Sequence, residues 1–378
     1  MSELPELTKA LVTLLEEQRE LGLHPGAQLY VSRHGKPLVD TAVGESAPGR
    51  PLRPDDVMLW YSSGKPVTAA AVLQCWERGE IGLDDPVARF VPAWAGGKER
   101  VTIRHVLTHT GGFTMVGRNE PFDADISYAD AVARIAAHPL EWEPGTEAGY
   151  HPSSGWKILG AIVEQVDGRP IDRYLAEEIV GPAGMVDARL GIDRESQAAL
   201  GDRLVPVHWT GHAFPVPTSE GGIRMRPYHV EEIHNEAWHI AKVEPGGGFR
   251  GPASALGRFY ECLLGYGSAQ ILEPRTVEVM GAVHRYDVPD RFFGAMRTPW
   301  GLGVQVAGGL SGKVGRRAFG HNGMASSRGL CDPDLGLVAV LVCNGLPDPL
   351  KNEQRMVAFF DAVYSGLGEE AAPFRRPS

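Results

Sequence analysis

The chain has 378 residues, 43% of them hydrophobic, enough for one large or two closely packed domains around a sizeable core. Its 37 basic and 47 acidic residues give a net charge of −10 with no block of like charge, which argues against a nucleic-acid or anionic-membrane partner. No run approaches the roughly 18 apolar residues of a membrane span, and Cys75, Cys262, Cys331 and Cys343 form no Cys-x-x-Cys pair, so buried, reduced thiols are expected. From Met1 to Lys9, acids stand where a signal peptide carries positive charge, which points to a cytosolic protein.

Leu7, Leu11, Leu14, Leu15 and Leu21 recur at near-helical spacing with Glu16, Glu17 and Arg19 between them, so an amphipathic helix is predicted over 6–21, closed by Gly22. Two short apolar runs, 27–32 and 37–43, flank Arg33-His34-Gly35-Lys36 and predict a β-hairpin with His34 in its turn. A strongly apolar helix follows from Val67 to Trp76, stopped at Gly79. From about 102 to 240 the chain reads as helical and irregular, with helices at 103–108, 127–137, 154–166 and 171–180 and no alternating strand pattern. The stretch 201–248, rich in Pro, Gly, His and Trp, reads as one long loop of the kind that builds binding walls.

Helices near 253–265 and 274–280 come next, then β-rich runs at 301–306, 317–323, 327–332 and 337–343 joined by Gly and Asp-Pro turns, and a closing helix over 353–365. Strands at both ends with helices between them predict one sheet built from the two termini. The expected division is a sheet domain of 1–85 and 241–378, with a helical insertion of 86–240 that carries the long pocket loop.

The chemistry concentrates at Ser62-Ser63-Gly64-Lys65, at the mouth of the apolar helix. Residues three apart are neighbours on a helix surface, so Lys65 stands beside Ser62 as a base beside a nucleophile. A helix N-terminus also favours developing negative charge. An N-capping serine followed by a solvated lysine gives the same four letters, but Val67 to Leu73 are so apolar that Lys65 is expected to be partly buried, and desolvation disfavours its charged form.

Three further stretches accompany it: Thr102-Ile-Arg-His-Val-Leu-Thr-His-Thr-Gly-Gly-Phe113, Trp142-Glu-Pro-Gly-Thr-Glu-Ala-Gly-Tyr150, and Phe319-Gly-His-Asn-Gly-Met324. With Ser62-x-x-Lys65 they resemble, in order and over nearly the whole chain, the serine β-lactamase-related family of class C β-lactamases, D-peptidases and family VIII esterases. The resemblance implies an α/β fold of the β-lactamase/transpeptidase type, an antiparallel sheet flanked by helices with an all-helical second domain. It implies Ser62 as the acylated nucleophile, Lys65 and Tyr150 as the groups that handle its proton, and His321-Asn322-Gly323 as a motif lining the substrate site. It places the oxyanion hole at the backbone N–H groups of Ser62 and Met324. On chemical grounds either a desolvated lysine or a tyrosinate stabilised by that cation could take the serine proton.

Other tempting residues have plain alternatives. His105 and His109, four apart on a predicted helix, lack the Glu of a His-Glu-x-x-His site, and His229, His234 and His239 share no helical face, so no metal or other cofactor is expected and the latter three read as part of a solvated loop. His151 is either a pocket residue or a hydrogen-bonded bystander, and Trp209 and Trp238 are either aromatic walls for an acyl group or core.

Two positions depart from the family pattern. Pro152 stands where Tyr-x-Asn motifs carry an amide side chain, and His321 replaces a permanently charged lysine, so a small-molecule ester is the expected substrate. Acyl transfer from the same acyl-enzyme, β-lactamase or D-amino-acid peptidase activity, and a non-catalytic binding role are the competing readings. The oligomeric state has no signature in the sequence.

Overall fold

The computed structural model describes residues 3–114, 125–217, 223–226, 231–294, 296–310 and 312–368. The chain opens with α1 (Glu3–Glu20), which buries Leu7, Leu11 and Leu15 along one stripe. β1 (Gly26–Arg33) and β2 (Lys36–Ala47) form the expected hairpin, turning at His34 (φ 50°) and Gly35 (φ 70°), and β3 (Arg50–Pro51) extends it. β4 (Met58–Leu59) leads into a 3-10 turn at Tyr61–Gly64 and then α2 (Lys65–Glu77), whose residues from Lys65 to Cys75 are all buried. This helix is apolar on every side because it has no solvent side.

Next come α3 (Ile103–Leu107), α4 (Tyr128–Ala137), α5 (Ser154–Asp167) and α6 (Ile171–Leu175), the last continuing into a π-helical turn at Ala176–Val180. The stretch read as a long loop is a correction to the sequence analysis. After β5 (Arg189–Leu190) and α7 (Arg194–Leu200) it carries β6 (His208–Trp209), the hairpin of β7 (Phe214–Pro217) and β8 (Ile223–Arg226), α8 (Glu231–His234) and α9 (Ala237–Ala241). Each piece is too short to show a period in the sequence.

β9 (Phe249–Gly251) then pairs with both β4 and β5, tying the strand ahead of the Tyr61–Gly64 turn to the chain on either side of that stretch. The remaining elements are α10 (Ala253–Leu263), α11 (Pro274–Gly281), β10 (Gln305–Val306), β11 (Phe319–Asn322), β12 (Ser327–Asp332), β13 (Leu337–Cys343), β14 (Gly345–Leu346) and α12 (Pro349–Gly366). The first β-rich run is shorter than expected, only Gln305–Val306 pairing with β11.

The sheet runs β10-β11-β12-β13-β1-β2-β3, antiparallel throughout, so the amino-terminal hairpin is joined to the carboxy-terminal meander by the β1–β13 pair. β13 shows why its sequence is a continuous apolar run. Val338, Val340 and Val342 face one core with α10, while Leu337, Ala339, Leu341 and Cys343 face another with α1 and α12. The expected fold class, an antiparallel sheet flanked by helices, is the one observed. All four cysteines are buried and unbridged, and among the described residues no helix is long and apolar enough to cross a membrane.

Candidate active site

Ser62 lies in the 3-10 turn just ahead of α2, whose N-cap is Gly64 rather than the serine. Gly64 is required here, since a Cβ would stand 2.9 Å from the Phe249 side chain. Tyr61, immediately before Ser62, has φ 49°, a left-handed conformation costing a non-glycine residue about 1–2 kcal/mol. Its hydroxyl is held 2.9 Å from Nδ1 of the buried His234.

Ser62 and Ser63 are told apart by geometry. The Lys65 Nζ lies 2.9 Å from Ser62 Oγ. The Ser63 hydroxyl points the other way, bonded to the His321 carbonyl at 3.0 Å and the Ser327 hydroxyl at 2.9 Å, in a fully buried position. Ser63→Ala should therefore lower the melting temperature, by the roughly 1–3 kcal/mol of an unmade buried hydrogen bond, while a fluorophosphonate label still reaches full stoichiometry at Ser62. A label lost with Ser63 would reverse the assignment.

Lys65 is wholly buried, further than the partial burial expected from the apolar helix. Its ammonium donates to the Pro152 carbonyl at 2.7 Å and to the Gly246 carbonyl, and it sits 5.3 Å from the ring centroids of both Tyr150 and Trp156. Those two carbonyls fix two N–H directions, and the third position on nitrogen points at Ser62 Oγ. An ammonium fills that position with a proton; a neutral amine would present its lone pair there instead, which is the geometry of a general base. Pro152 lacks the amide side chain of its motif yet supplies a backbone acceptor.

Burial raises the Tyr150 phenol above its ordinary value, with the Ser62 hydroxyl pulling the other way. Burial therefore disfavours the tyrosinate that the sequence offered as one of two candidate bases. Its ring is boxed by His109 at 4.7 Å, Phe293 at 5.2 Å, Phe292 at 5.3 Å and Trp300 at 5.9 Å. Its backbone N–H donates to Asp290 Oδ1 at 3.2 Å, and Asp290 is paired in turn with the buried Arg285.

Just past β11, Gly323 must be glycine: a Cβ would lie 2.1 Å from Ser327 Oγ and 2.4 Å from the Trp60 carbonyl. His321 is 2% exposed with its ring 6.0 Å from that of Tyr150. Its Nδ1 donates to the Asn322 carbonyl at 2.7 Å, and burial, with Lys65 nearby, brings its pKa down to about 3, so it is neutral at any working pH. Asn322 is turned away, its side-chain oxygen accepting from Arg328 and its N–H donating to Gln305. Met324 packs with Tyr61, Val207 and Trp209 in a small apolar cluster, which brings Trp209 beside the catalytic turn.

His151 is fully buried, its ring stacked on Phe113 at 4.5 Å, its backbone N–H donating to His109 Nδ1 at 3.0 Å and its pKa lowered to about 3 by burial, which fits the hydrogen-bonded bystander of its two readings. The described ring and cation contacts of Trp238 are with His239 and Lys242, not with the catalytic group. His234 and His239, read as solvated, are buried and stacked on each other at 4.4 Å; His229 lies outside the described residues. His109 also leaves the predicted helix, because α3 ends at Leu107 and His109 adopts φ 60°.

Sequence reasoning missed Gly246, Asp290, Arg285 and the buried trio Ser153, Lys157 and Glu244. The visible signal for the trio was Lys157 inside the otherwise apolar run Trp156-Lys157-Ile158-Leu159, since a lysine in a buried stripe needs a partner.

The chain is similar to known proteins over nearly its whole length. The family model described as Beta-lactamase matches residues 11–361. Esterase EstB of Burkholderia gladioli is 29% identical, with 90% of this chain and 91% of that protein covered. Esterase/beta-lactamase LipL of Mycobacterium tuberculosis (strain ATCC 25618 / H37Rv) is 25% identical, with 93% and 84% covered. A crystal structure of a family VIII carboxylesterase superposes with a TM-score of 0.79 over 95% of this chain and 97% of that one, at 22% identity.

Proposed function

The chain belongs to the Beta-lactamase family, and from that membership we propose a serine hydrolase that cleaves carboxylic esters of small molecules through an acyl-Ser62 intermediate. The observation that carries the reading is the 2.9 Å contact between Lys65 Nζ and Ser62 Oγ, made by a lysine whose other directions are fixed by two carbonyls.

In acylation, the neutral amine of Lys65 takes the Ser62 proton as Oγ attacks the ester carbonyl. The negative charge that develops on the carbonyl oxygen falls to the N–H groups of Ser62 and Met324. Left-handed residues bracket those amides, Tyr61 before one and Ala325 (φ 45°) after the other, in keeping with backbone shaped to aim them. Collapse of the tetrahedral species breaks the bond to the alcohol, which leaves with a proton relayed from Lys65 through the Tyr150 phenol. Water then enters, gives its proton to the same pair and releases the acid, so Ser62 regains its hydroxyl.

The wall His321 offers is neutral, and Pro152 has no side-chain donor, which favours an uncharged ester over a β-lactam carrying a carboxylate and an amide side chain. Each such unmade polar contact costs about 1–3 kcal/mol in a buried site, so p-nitrophenyl butyrate should exceed nitrocefin in kcat/KM by roughly two to three orders of magnitude. Equal or better turnover of nitrocefin would replace the ester reading with a β-lactamase one.

A further inference from the structure

α5 breaks a local rule at its first turn. Ser153 occupies the N-cap, where a serine hydroxyl ordinarily accepts from a backbone N–H two or three residues on, yet here it makes no cap bond. It donates instead to the Glu244 carboxylate, 2.9 Å from both oxygens. The same carboxylate pairs with Lys157 one turn along α5 and accepts from the Gly246 N–H at 3.4 Å. The side chains of Lys157 and Glu244 are 0% and 2% exposed. Burying a lysine and a carboxylate is expensive and does not usually add net stability over an apolar pair, and a cap surrendered without a local gain marks a site held for another purpose.

That purpose is visible in what the pair joins. Ser153 directly follows Pro152, and Glu244 lies two residues before Gly246, so the carboxylate bridges the two loops whose carbonyls hold Lys65. The seam between them is tight: a Cβ on Gly246 would stand 2.9 Å from the Pro152 carbonyl and 3.0 Å from Trp156 Cβ. The second loop is also closed on itself by the Gly248 N–H on the Glu244 carbonyl at 2.7 Å, and fastened to α2 by the Thr68 hydroxyl on the Pro245 carbonyl at 2.9 Å.

We propose that Glu244, with Lys157 and Ser153, is the positioning device for the general base: it locks the Pro152 and Gly246 carbonyls in register so that the third direction on Lys65 Nζ points at Ser62 Oγ. The inference rests on the reading of Lys65 as the base for Ser62. Glu244 touches neither the serine nor the substrate site in the described contacts, so it acts through Lys65.

Two variants separate positioning from plain stability. Glu244→Gln keeps the shape, removes the charge and strands Lys157. It should lower kcat for p-nitrophenyl butyrate about 100-fold, the cost of a small misplacement of a catalytic group, with KM within about threefold and a lowered melting temperature. Glu244→Gln/Lys157→Met leaves no buried unpaired charge and should regain the melting temperature but not kcat. Recovery of kcat along with stability in the double variant, or wild-type kcat in Glu244→Gln, overturns the proposal. If the single variant does not fold, the double variant and Ser153→Ala carry the test, Ser153→Ala being expected to slow turnover without a charge change; normal kcat in both would overturn it. The rate of fluorophosphonate labelling at Ser62, read in every variant, should fall in parallel with kcat. Because that rate needs no ester, a wild-type protein that labels but turns over no ester counts against the ester reading alone, whereas unchanged labelling in the variants counts against the brace.

Discussion

Lys65→Ala is expected to lower kcat/KM for p-nitrophenyl butyrate by roughly 10⁴-fold, Tyr150→Phe by a comparable factor, and the double variant by little more than either. With two directions on Lys65 Nζ taken by the Pro152 and Gly246 carbonyls, the neutral amine would aim its lone pair at a serine oxygen 2.9 Å away. Without it, Ser62 keeps a proton that no other base adjacent to it in the described contacts can take. Tyr150 lies against the same Lys65, and burial disfavours its anion, so it can pass a proton on but does not replace the base. Groups that move one proton in relay fail together, which is the origin of the non-additivity. Steady-state kinetics on the two single variants and the double variant decide the matter. Losses that multiply would mean independent roles, and near-normal turnover in Tyr150→Phe would take the tyrosine out of the relay.

Acidification should unfold the protein well before its carboxylates titrate. His24, His151 and His321 each have a folded pKa brought down to about 3, in every case chiefly by burial, with Arg355 and Arg19 near His24, Arg285 and Lys65 near His151, and Lys65 near His321. In the unfolded chain they titrate near 6.5. Between those values the unfolded state binds the protons and the folded state does not, so stability is fully present above about pH 6.5 and falls as pH drops towards about 3. Each group then costs about 1.4 kcal/mol by pH 5.5, about 4 kcal/mol for the three, against a typical domain stability of about 5–15 kcal/mol.

His109, lowered for the same reasons, adds to the loss. Asp40, Glu164 and Asp332, raised by burial, act in the opposite sense as they protonate. Thermal melts between pH 7.5 and 5 should show a steep fall in melting temperature, and His24→Gln, remote from the catalytic group, should flatten that fall by about one proton's slope. A melting temperature level across that range would refute the account.

How far the sequence could be read follows from the reach of its interactions. α2, α5 and β13 are long enough, and apolar enough, for their period or their lack of one to be visible, and they were found within a few residues. Ser62-x-x-Lys65 was readable because its contact spans a single helical turn. The stretch 201–248 was not readable as structure, because its strands run only two to four residues, β7 and β8 pairing with each other and β6 with the distant β14. His151 and Trp238 carry the right chemistry for a pocket, but nothing in a sequence says which way a ring faces.

By itself the sequence determined the pairing of Ser62 with Lys65, the order of the elements and the joining of the two chain ends in one sheet. All of these rest on local spacing, or on apolar patterns that any fold must bury. Only the tertiary structure decided that Lys65 is held by the Pro152 and Gly246 carbonyls, that Tyr150 rests as a phenol, that His321 is neutral and that Glu244 and Lys157 meet. The physical reason is common to the four. Protonation and orientation are set by burial and by carbonyls or charges far away in the chain, 87 residues for Lys65 and Pro152 and again 87 for Lys157 and Glu244, and that neighbourhood does not exist until the chain has folded.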